Sequence, residues 1–199
     1  MENYQSYIPK VLKQINENVS VGSDAKNNLN SILNVLLLKL VKQSTELMRP
    51  KNFVKPQKKL TRRKTLSITE METAVILVMS GSELERHALH EGKKCVTRFN
   101  ESSITGTGAQ KAGLNLSVSK TANSIRNNLA KDERLSSITS VYTTAVLEYI
   151  LAEIVELSAN ACEFDKKKII TPVHIKQAIE NDPELNKLMK FLNVSLMGQ

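Results

Sequence analysis

Apolar residues recur at helical spacing along most of this chain. In the first half they predict four helices, which run from Tyr4 to Asn16, from Ser23 or Asp24 to Met48, from Ser67 or Thr69 to Met79, and from Glu83 to Phe99. The long second helix is apolar on almost every side, and its polar positions form one narrow stripe made of Ser31, Asn34, Lys39, Lys42 and Glu46. We expect a helix of this kind to lie at the centre of the fold.

The same order of elements returns in the second half. Helices are predicted from Val118 to Ala130, from Thr139 to Glu163, from Pro172 to Asn181, and from Glu184 to Leu192. The segment 67–75 aligns without gaps with 171–179. Each copy has a hydroxyl residue at the cap, an apolar residue four positions later, and Ala followed by a β-branched residue. Each half is therefore a short, a long and a short helix with one helix appended.

Between the halves, residues 100–113 are small, polar and glycine-rich, which predicts a flexible linker with no core element. We therefore divide the chain into 1–100, a linker 101–113, and 114–199. One unit alone would leave its long helix half exposed. Two units clasped antiparallel would bury both long helices and place the loop after the first helix of one half beside the loop after the long helix of the other. The predicted fold class is all-α, an intramolecular dimer.

Composition narrows the class of protein further. Of 199 residues, 41% are hydrophobic and 24% charged, with only 7 Gly and 5 Pro, which indicates a packed helical protein. Aromatic residues make up 4%, too few for a platform that stacks single-stranded nucleic acid. The apolar runs are far below the roughly 18 residues of a membrane span. With no secretory signal pattern and two cysteines, Cys95 and Cys162, we expect a soluble protein of a reducing compartment.

The positive charge is concentrated in one segment. The first hundred residues carry the whole net charge of +8, and the second half is neutral. Residues 49–64 contain eight lysines and arginines and no acid, so this segment alone equals the excess. Such a density favours a polyanionic partner, although a solvated loop has the same composition. The basic residues of the paired loops would lie on one rim, suited to a bent duplex bound through its backbone.

Catalytic chemistry has little support in the sequence. His87, His90 and His174 have no Ser, Cys or acid placed with them as in a catalytic triad. His87 and His90 lie three residues apart on a helix, but no further metal ligand accompanies them. We therefore expect no enzyme activity, no metal and no cofactor.

Several segments resemble core histones. The first half is similar to core histone 2B over Gln14–Ala25, Asn30–Asn34, Glu72–Val75 and Ser82–Gly92. The second half is similar to core histone 2A over Ala112–Leu114, Val141–Tyr142, Ala145–Tyr149, Ala152–Leu157, Asn160–Ala161, His174, Ala178–Asp182 and Glu184–Leu188. The order, 2B-like then 2A-like in one polypeptide, resembles the histone doublets of giant DNA viruses of the marseillevirus group.

This resemblance implies two histone folds paired in a handshake heterodimer. It also implies wrapping of double-stranded viral DNA, and assembly with a histone 4–histone 3-like doublet into a nucleosome-like particle. The location would be the virion and the viral factory in the host cytoplasm, or the host nucleus, with no membrane partner. The alternative function is a histone-fold transcription or chaperone-binding module that contacts DNA weakly, and a scaffold without DNA is a third class.

The resemblance also assigns site residues. Family positions that contact DNA match Arg62, Arg63, Thr65, Arg126, Arg134 and Lys168, while Lys120 and Asn123 each stand where the family has Arg. The basic loops add Lys55, Lys58, Lys59, Lys64, Lys131, Lys166 and Lys167. An acidic patch, where chromatin factors dock in the family, matches Glu83, Glu91, Glu148, Glu153, Glu156, Asp182 and Glu184. Pro183 replaces one further acid, so we expect a weaker patch.

Three departures from the family change the expectations. The first half has almost no basic N-terminal tail, an insertion lengthens its second loop from about Asn52 to Leu60, and the second half stops at Gln199. With less tail, we expect weaker retention in the particle, testable by salt titration. The insertion would grip DNA, contact the second half or a neighbouring particle, or be mobile. We favour the first, and neutralising Lys55, Lys58 and Lys59 should then flatten the salt dependence of DNA binding.

Overall fold

The computed structural model describes residues 2–49 and 64–194. Those ranges contain nine α-helices: α1 (Ile8–Ile15), α2 (Ser23–Met48), α3 (Ile68–Met79), α4 (Glu83–Glu101), α5 (Gly108–Ala112), α6 (Val118–Arg126), α7 (Ser137–Phe164), α8 (Pro172–Asn181) and α9 (Pro183–Leu192). They also contain four two-residue strands: β1 (Ser20–Val21), β2 (Thr65–Leu66), β3 (Arg134–Leu135) and β4 (Ile169–Ile170). The predicted all-α class is confirmed.

The four short strands join the two halves. β1 pairs in parallel with β4, and β2 pairs in parallel with β3. The Ser20 amide donates to the Lys168 carbonyl over 2.9 Å, and the Arg134 amide donates to the Lys64 carbonyl over 2.7 Å. Each pair sets the loop after a first helix beside the loop after the long helix of the other half, so the predicted antiparallel clasp is confirmed.

One hydrophobic core runs through both halves. The long helices α2 and α7 supply most of it, and side chains such as Leu36, Leu37, Ile150 and Ile154 are fully buried. Within the described residues, α7 is the one helix long and apolar enough to cross a membrane, but 72% of its most apolar window is buried inside the protein. Its hydrophobicity is therefore explained by its central position.

The close approach of α4 to α7 depends on a glycine. A Cβ atom at Gly92 would collide with the ring of Tyr142. Gly92 is buried and the Tyr142 side chain is fully buried, so the ring occupies the space that any larger residue would need. The 2B-like half thereby packs its appended helix directly on the central helix of the 2A-like half.

The internal repeat is visible in the helix caps. Ser67 and Thr171 each cap the helix that follows, and the residue at the third helical position, Glu70 or His174, reaches back to the cap in both halves. This reciprocal arrangement satisfies amide groups that the first helical turn leaves unpaired. In α2 the sequence predicts Ser23 or Asp24 as the cap, but the N-cap is Gly22 and the helix begins at Ser23.

The linker expectation is wrong, and the polar stripe of α2 is not exposed along its whole length. Asn34 does not face solvent. It is 2% exposed, and its side-chain amide accepts from and donates to the backbone of Glu2 at 2.9 and 2.8 Å. The linker is not free of core elements either, because α5 lies within it and Ala112 is fully buried against Val141 and Ala145. The α5 helix was not predicted because its capping box consists of Thr107 and Gln110, residue types that are also common in loops.

Candidate nucleic-acid interface and acidic surface

The first group of cations lies at the β2–β3 corner. Strand pairing sets Thr65 directly opposite Arg134, and both residues are exposed. Lys64 and Lys131 are exposed beside them, and the Lys64 ammonium lies 3.8 Å from the Asp132 carboxylate. Predicted residues from both halves are thus brought together here. Lys55, Lys58, Lys59, Arg62 and Arg63, which the sequence assigns to the same interface, lie outside the described residues.

A buried carboxylate, which has no recognisable signal in the sequence, holds this corner together. The Glu133 side chain is fully buried, accepts the Ala130 amide over 2.9 Å, and accepts the Arg49 guanidinium through both of its oxygens. The hydrogen bond to Glu133 raises the pKa of the Arg49 guanidinium above its ordinary value. Bidentate pairs of this kind are geometrically specific. Arg49 therefore fastens the end of α2 to the first loop of the 2A-like half.

The second group of cations lies at the β1–β4 corner. Lys166, Lys167 and Lys168 are exposed and follow the last turn of α7. Lys166 has φ of 56°, in the left-handed region, which ends the helix abruptly, and the Lys167 amide donates to the Cys162 carbonyl over 2.9 Å. This turn presents three consecutive ammonium groups beside the loop that leads out of α1.

A third group lies between the two corners, where the first helices of the two halves begin. The Lys120 ammonium donates to the Asn3 carbonyl over 2.6 Å and lies 5.5 Å from the centre of the Tyr7 ring. Lys10 lies 5.6 Å from the same ring centre. Lys10 is absent from the residues assigned by sequence, although it lies three residues after Tyr7, on the same helical face.

Connectivity places the three groups in a row. The α1 helix leads from the middle group towards the β1–β4 corner, and α6 leads from it towards the β2–β3 corner. Arg126 stands exposed at the end of α6, with its guanidinium 3.3 Å from the Asn123 side-chain oxygen. The described cations are therefore spread along one path made of two helices and two loop pairs.

Carboxylates from three helices converge around Tyr149 on another surface. Burial raises the pKa of the Tyr149 hydroxyl well above its ordinary value, and the negative charges of Glu153, Glu184 and Glu91 raise it further. The His87 ring stacks on the Tyr149 ring at 6.3 Å between centres. These three acids come from α7, α9 and α4, so acids from three separate helices that the resemblance assigns to one patch lie close enough to act on the same tyrosine.

Several of these acids hold the backbone. Glu184 accepts the amides of Glu83 and Leu84 over 2.9 and 2.7 Å, so a residue of the 2A-like half caps α4 of the 2B-like half. Glu148 accepts the amides of Asn115 and Leu116 over 2.8 and 2.7 Å. Such contacts stabilise the fold whether or not a partner binds.

The remaining acids differ in how firmly they are engaged. Asp182 caps α9 by accepting the Leu185 amide over 2.7 Å. The Lys94 ammonium lies 2.6 Å from Glu91, and the Arg86 guanidinium lies 2.5 Å from Glu83. Glu156 is exposed on α7. The acidic surface is therefore a mixture of structural caps, ion-paired groups and solvated groups.

Nothing in the described ranges gathers three or more metal-binding side chains. Burial raises the pKa of the Cys95 thiol to about 11, and the charge of Glu91 adds to this shift. The pKa of the Cys162 thiol is also shifted upwards, mainly by burial. Both cysteines are buried and free, which is typical of small apolar side chains in a core.

Two clasped helix–strand–helix units joined by parallel loop pairs define a histone-type handshake, and the comparisons agree. The histone from Methanopyrus kandleri superimposes with a TM-score of 0.54, covering 92% of this chain and 98% of that one at 14% identity, which supports the fold alone. No protein-family model matches the chain. A histone 2A of Candida glabrata, the second of two from that yeast, is 44% identical over 93 residues, 46% of this chain and 70% of that histone.

The chain belongs to the core histone family. Two relatives extend along nearly all of it. A histone 2B variant of Dictyostelium discoideum is 29% identical over 199 residues, 92% of this chain and 83% of that protein. The histone 2B–2A doublet of Melbournevirus is 30% identical over 188 residues, 92% of this chain and 64% of the longer viral protein. The predicted arrangement, a 2B-like fold followed by a 2A-like fold in one polypeptide, is confirmed, and the chain is a nucleosome-type histone doublet.

Proposed function

We propose that this histone doublet wraps and compacts double-stranded DNA through backbone contacts, as the tethered equivalent of one histone 2A–2B dimer. The observation that carries the proposal is the row of cationic groups from the β1–β4 corner, past Lys120 and Lys10, to the β2–β3 corner. Each corner combines exposed basic residues with the beginning of a helix, where the helix dipole favours a phosphate. The proposal includes no catalytic step.

The spacing of this row suits a duplex. The α1 and α6 helices have 8 and 9 residues, and at 1.5 Å per residue they are about 12 and about 14 Å long. Together they contribute about 26 Å of helix along the path between the two corners, a length comparable with one DNA helical turn of about 34–36 Å. Arg126 and Arg134 are exposed along this path and suit a minor groove facing the protein, a contact that needs no base sequence.

A second surface supports assembly with other histones. Leu47 at the end of α2 and Ile76 and Leu77 on α3 are 41%, 43% and 48% exposed, and all belong to the 2B-like half. Three exposed large apolar side chains on two helices that pack against each other are typical of a protein interface. We propose that a histone 4–histone 3-like doublet covers it in a nucleosome-like particle, that chromatin factors dock on the acidic surface, and that packaging occurs in the virion and viral factory or the host nucleus.

Nuclease digestion tests wrapping. The chain would be assembled with a histone 4–histone 3-like doublet and linear DNA, then digested with micrococcal nuclease. We expect a discrete protected fragment of nucleosomal scale. A ragged digest, with no fragment longer than the partner doublet alone protects, would contradict wrapping. It would instead support the alternative, a transcription or chaperone-binding module with weak DNA contact.

A further inference from the structure

A groove of about 520 Å³ lies between the last two turns of α7 and the α8 helix. Its floor includes the small residues Ala161 and Ala178, which leave room for another chain to approach closely. Phe164 forms one wall and is 88% exposed, the most exposed large apolar side chain of the described residues. A concave site with small lining residues and an exposed aromatic ring at its edge has the features of a docking site.

The charged residues that line this groove are both acids, Asp165 and Asp182. Asp165 directly follows the lining stretch of α7, from Leu157 to Phe164, which is about 10 Å long at 1.5 Å per residue. Asp182 directly follows the lining stretch of α8, from Gln177 to Asn181. Lys166, Lys167 and Lys168 follow Asp165 but do not line the groove, so DNA is disfavoured only as an occupant of the groove itself, where phosphate groups would meet two carboxylates. Two copies of this chain joined groove to groove are disfavoured for the same reason.

A buried histidine, His174, lies close to Asp165. His174 is fully buried, and its Nδ1 accepts the Thr171 amide over 3.0 Å, so the ring proton lies on Nε2. That Nε2 has no hydrogen-bond partner among the described residues and lies 3.5 Å from the Asp165 carboxylate. At the other end, Asp182 uses one oxygen to cap α9. Asp182 is thus held in place by its capping hydrogen bond, and Asp165 lies within 3.5 Å of the buried His174 ring.

We propose that this groove binds an amphipathic helix of a partner protein. Its apolar residues would pack between Phe164 and the two alanines, and two lysines or arginines about two helical turns apart would pair with Asp165 and Asp182. Helices bind grooves in this way when apolar anchors recur every three or four residues. The groove adjoins the acidic surface at Asp182, but the inference does not depend on DNA wrapping.

The test uses the full chain and a fluorescein-labelled synthetic helix with two lysines seven positions apart and two leucines between them. Binding would be followed by fluorescence anisotropy. We expect saturable binding that weakens about tenfold in Phe164→Ala, since an aromatic anchor is lost, and that weakens in Asp165→Asn. The matched control is Ile104→Ala, which removes another exposed apolar side chain outside the groove and should leave binding unchanged. A peptide with glutamates in place of the lysines should not bind.

Three results would overturn the inference. The first is peptide binding that Phe164→Ala leaves unchanged. The second is self-association of the chain, seen by analytical ultracentrifugation and abolished by Phe164→Ala, which would assign the groove to a second copy. The third is a loss of DNA affinity in Phe164→Ala. A Glu91→Gln variant separates this site from the rest of the acidic surface, because it should leave binding of this peptide unchanged.

Discussion

The positive and negative surfaces of this histone doublet are built differently. At the β1–β4 corner, Lys166, Lys167 and Lys168 are exposed and project from a turn whose shape depends on backbone hydrogen bonds. On the acidic surface, Glu148 and Glu184 are only partly exposed and accept backbone amides from segments far away in the chain. We therefore expect replacement of the lysines to leave stability almost unchanged, whereas replacement of either acid should destabilise the fold.

This contrast affects how the acidic surface is interpreted. A carboxylate that caps a helix stabilises the protein in the absence of any partner, so its presence alone does not indicate a docking site. Glu184 joins the two halves, and Glu148 fixes the segment that leads into α6. The acids that best report on docking are those with the smallest structural role, such as Glu156, which is exposed.

Arg49 is the exception among the cations, and its loss should have the largest effect. Replacing it with alanine removes both hydrogen bonds that the guanidinium donates to the buried Glu133 carboxylate, and we expect a loss of about 3 kcal/mol in the free energy of unfolding. Urea denaturation measures this. Lys64→Ala, at an exposed pair in the same corner, is the control and should change stability by less than about 0.5 kcal/mol. If the two variants lost the same amount of stability, Arg49 would contribute no more to the fold than an exposed lysine does.

Glu148→Ala should have the next largest effect. Two backbone amides and one side-chain amide lose a charged acceptor, so we expect a loss of about 2 kcal/mol in the free energy of unfolding. Glu156→Ala, on the same helix and exposed, should lie within about 0.5 kcal/mol of the unchanged protein. If both variants unfold at the same urea concentration as the unchanged protein, Glu148 is a solvated acid after all.

How far the sequence could predict this fold depends on whether a signal is local. The α8 helix was predicted with its observed bounds because Pro172 at its start and the cap Thr171 are neighbours in sequence. The joining of loops across the halves followed from the repeat and from the need to bury two long helices. The α5 helix was missed, since five residues give no hydrophobic period.

The candidate sites show the same limit. The sequence could indicate which residues carry charge, and the resemblance to core histones could group them. It could not show that Glu133 is buried against Arg49, 84 positions away, or that Lys10 joins Lys120 at one tyrosine ring. Neither contact has a local signature, because each depends on how the two halves are clasped.

Changing Lys166, Lys167 and Lys168 together to glutamine should separate binding from stability. The side chains are exposed, so we expect the free energy of unfolding to change by less than about 0.5 kcal/mol. The slope of log affinity against log salt should fall by about 0.9 for each lost phosphate contact. Binding to a DNA duplex over a range of salt concentrations measures the slope. An unchanged slope would remove this corner from the proposed interface, and a large loss of stability would contradict the contrast between the two surfaces.

The smallest expected effect concerns Cys95, which lies beside the acidic surface. Burial raises the pKa of its thiol to about 11, the charge of Glu91 raises it further, and the charge of Arg98 lowers it. At pH 8 little thiolate is present, so alkylation by iodoacetamide should be slow compared with the unfolded chain in urea. Glu91→Gln should lower the pKa and speed the reaction, whereas Arg98→Gln should raise the pKa and slow it. Because burial is the larger cause, both changes should be small. If both variants changed the alkylation rate in the same direction, the rate would depend on access of the reagent to the Cys95 sulfur. The Glu91 carboxylate would then have no electrostatic effect on the thiol.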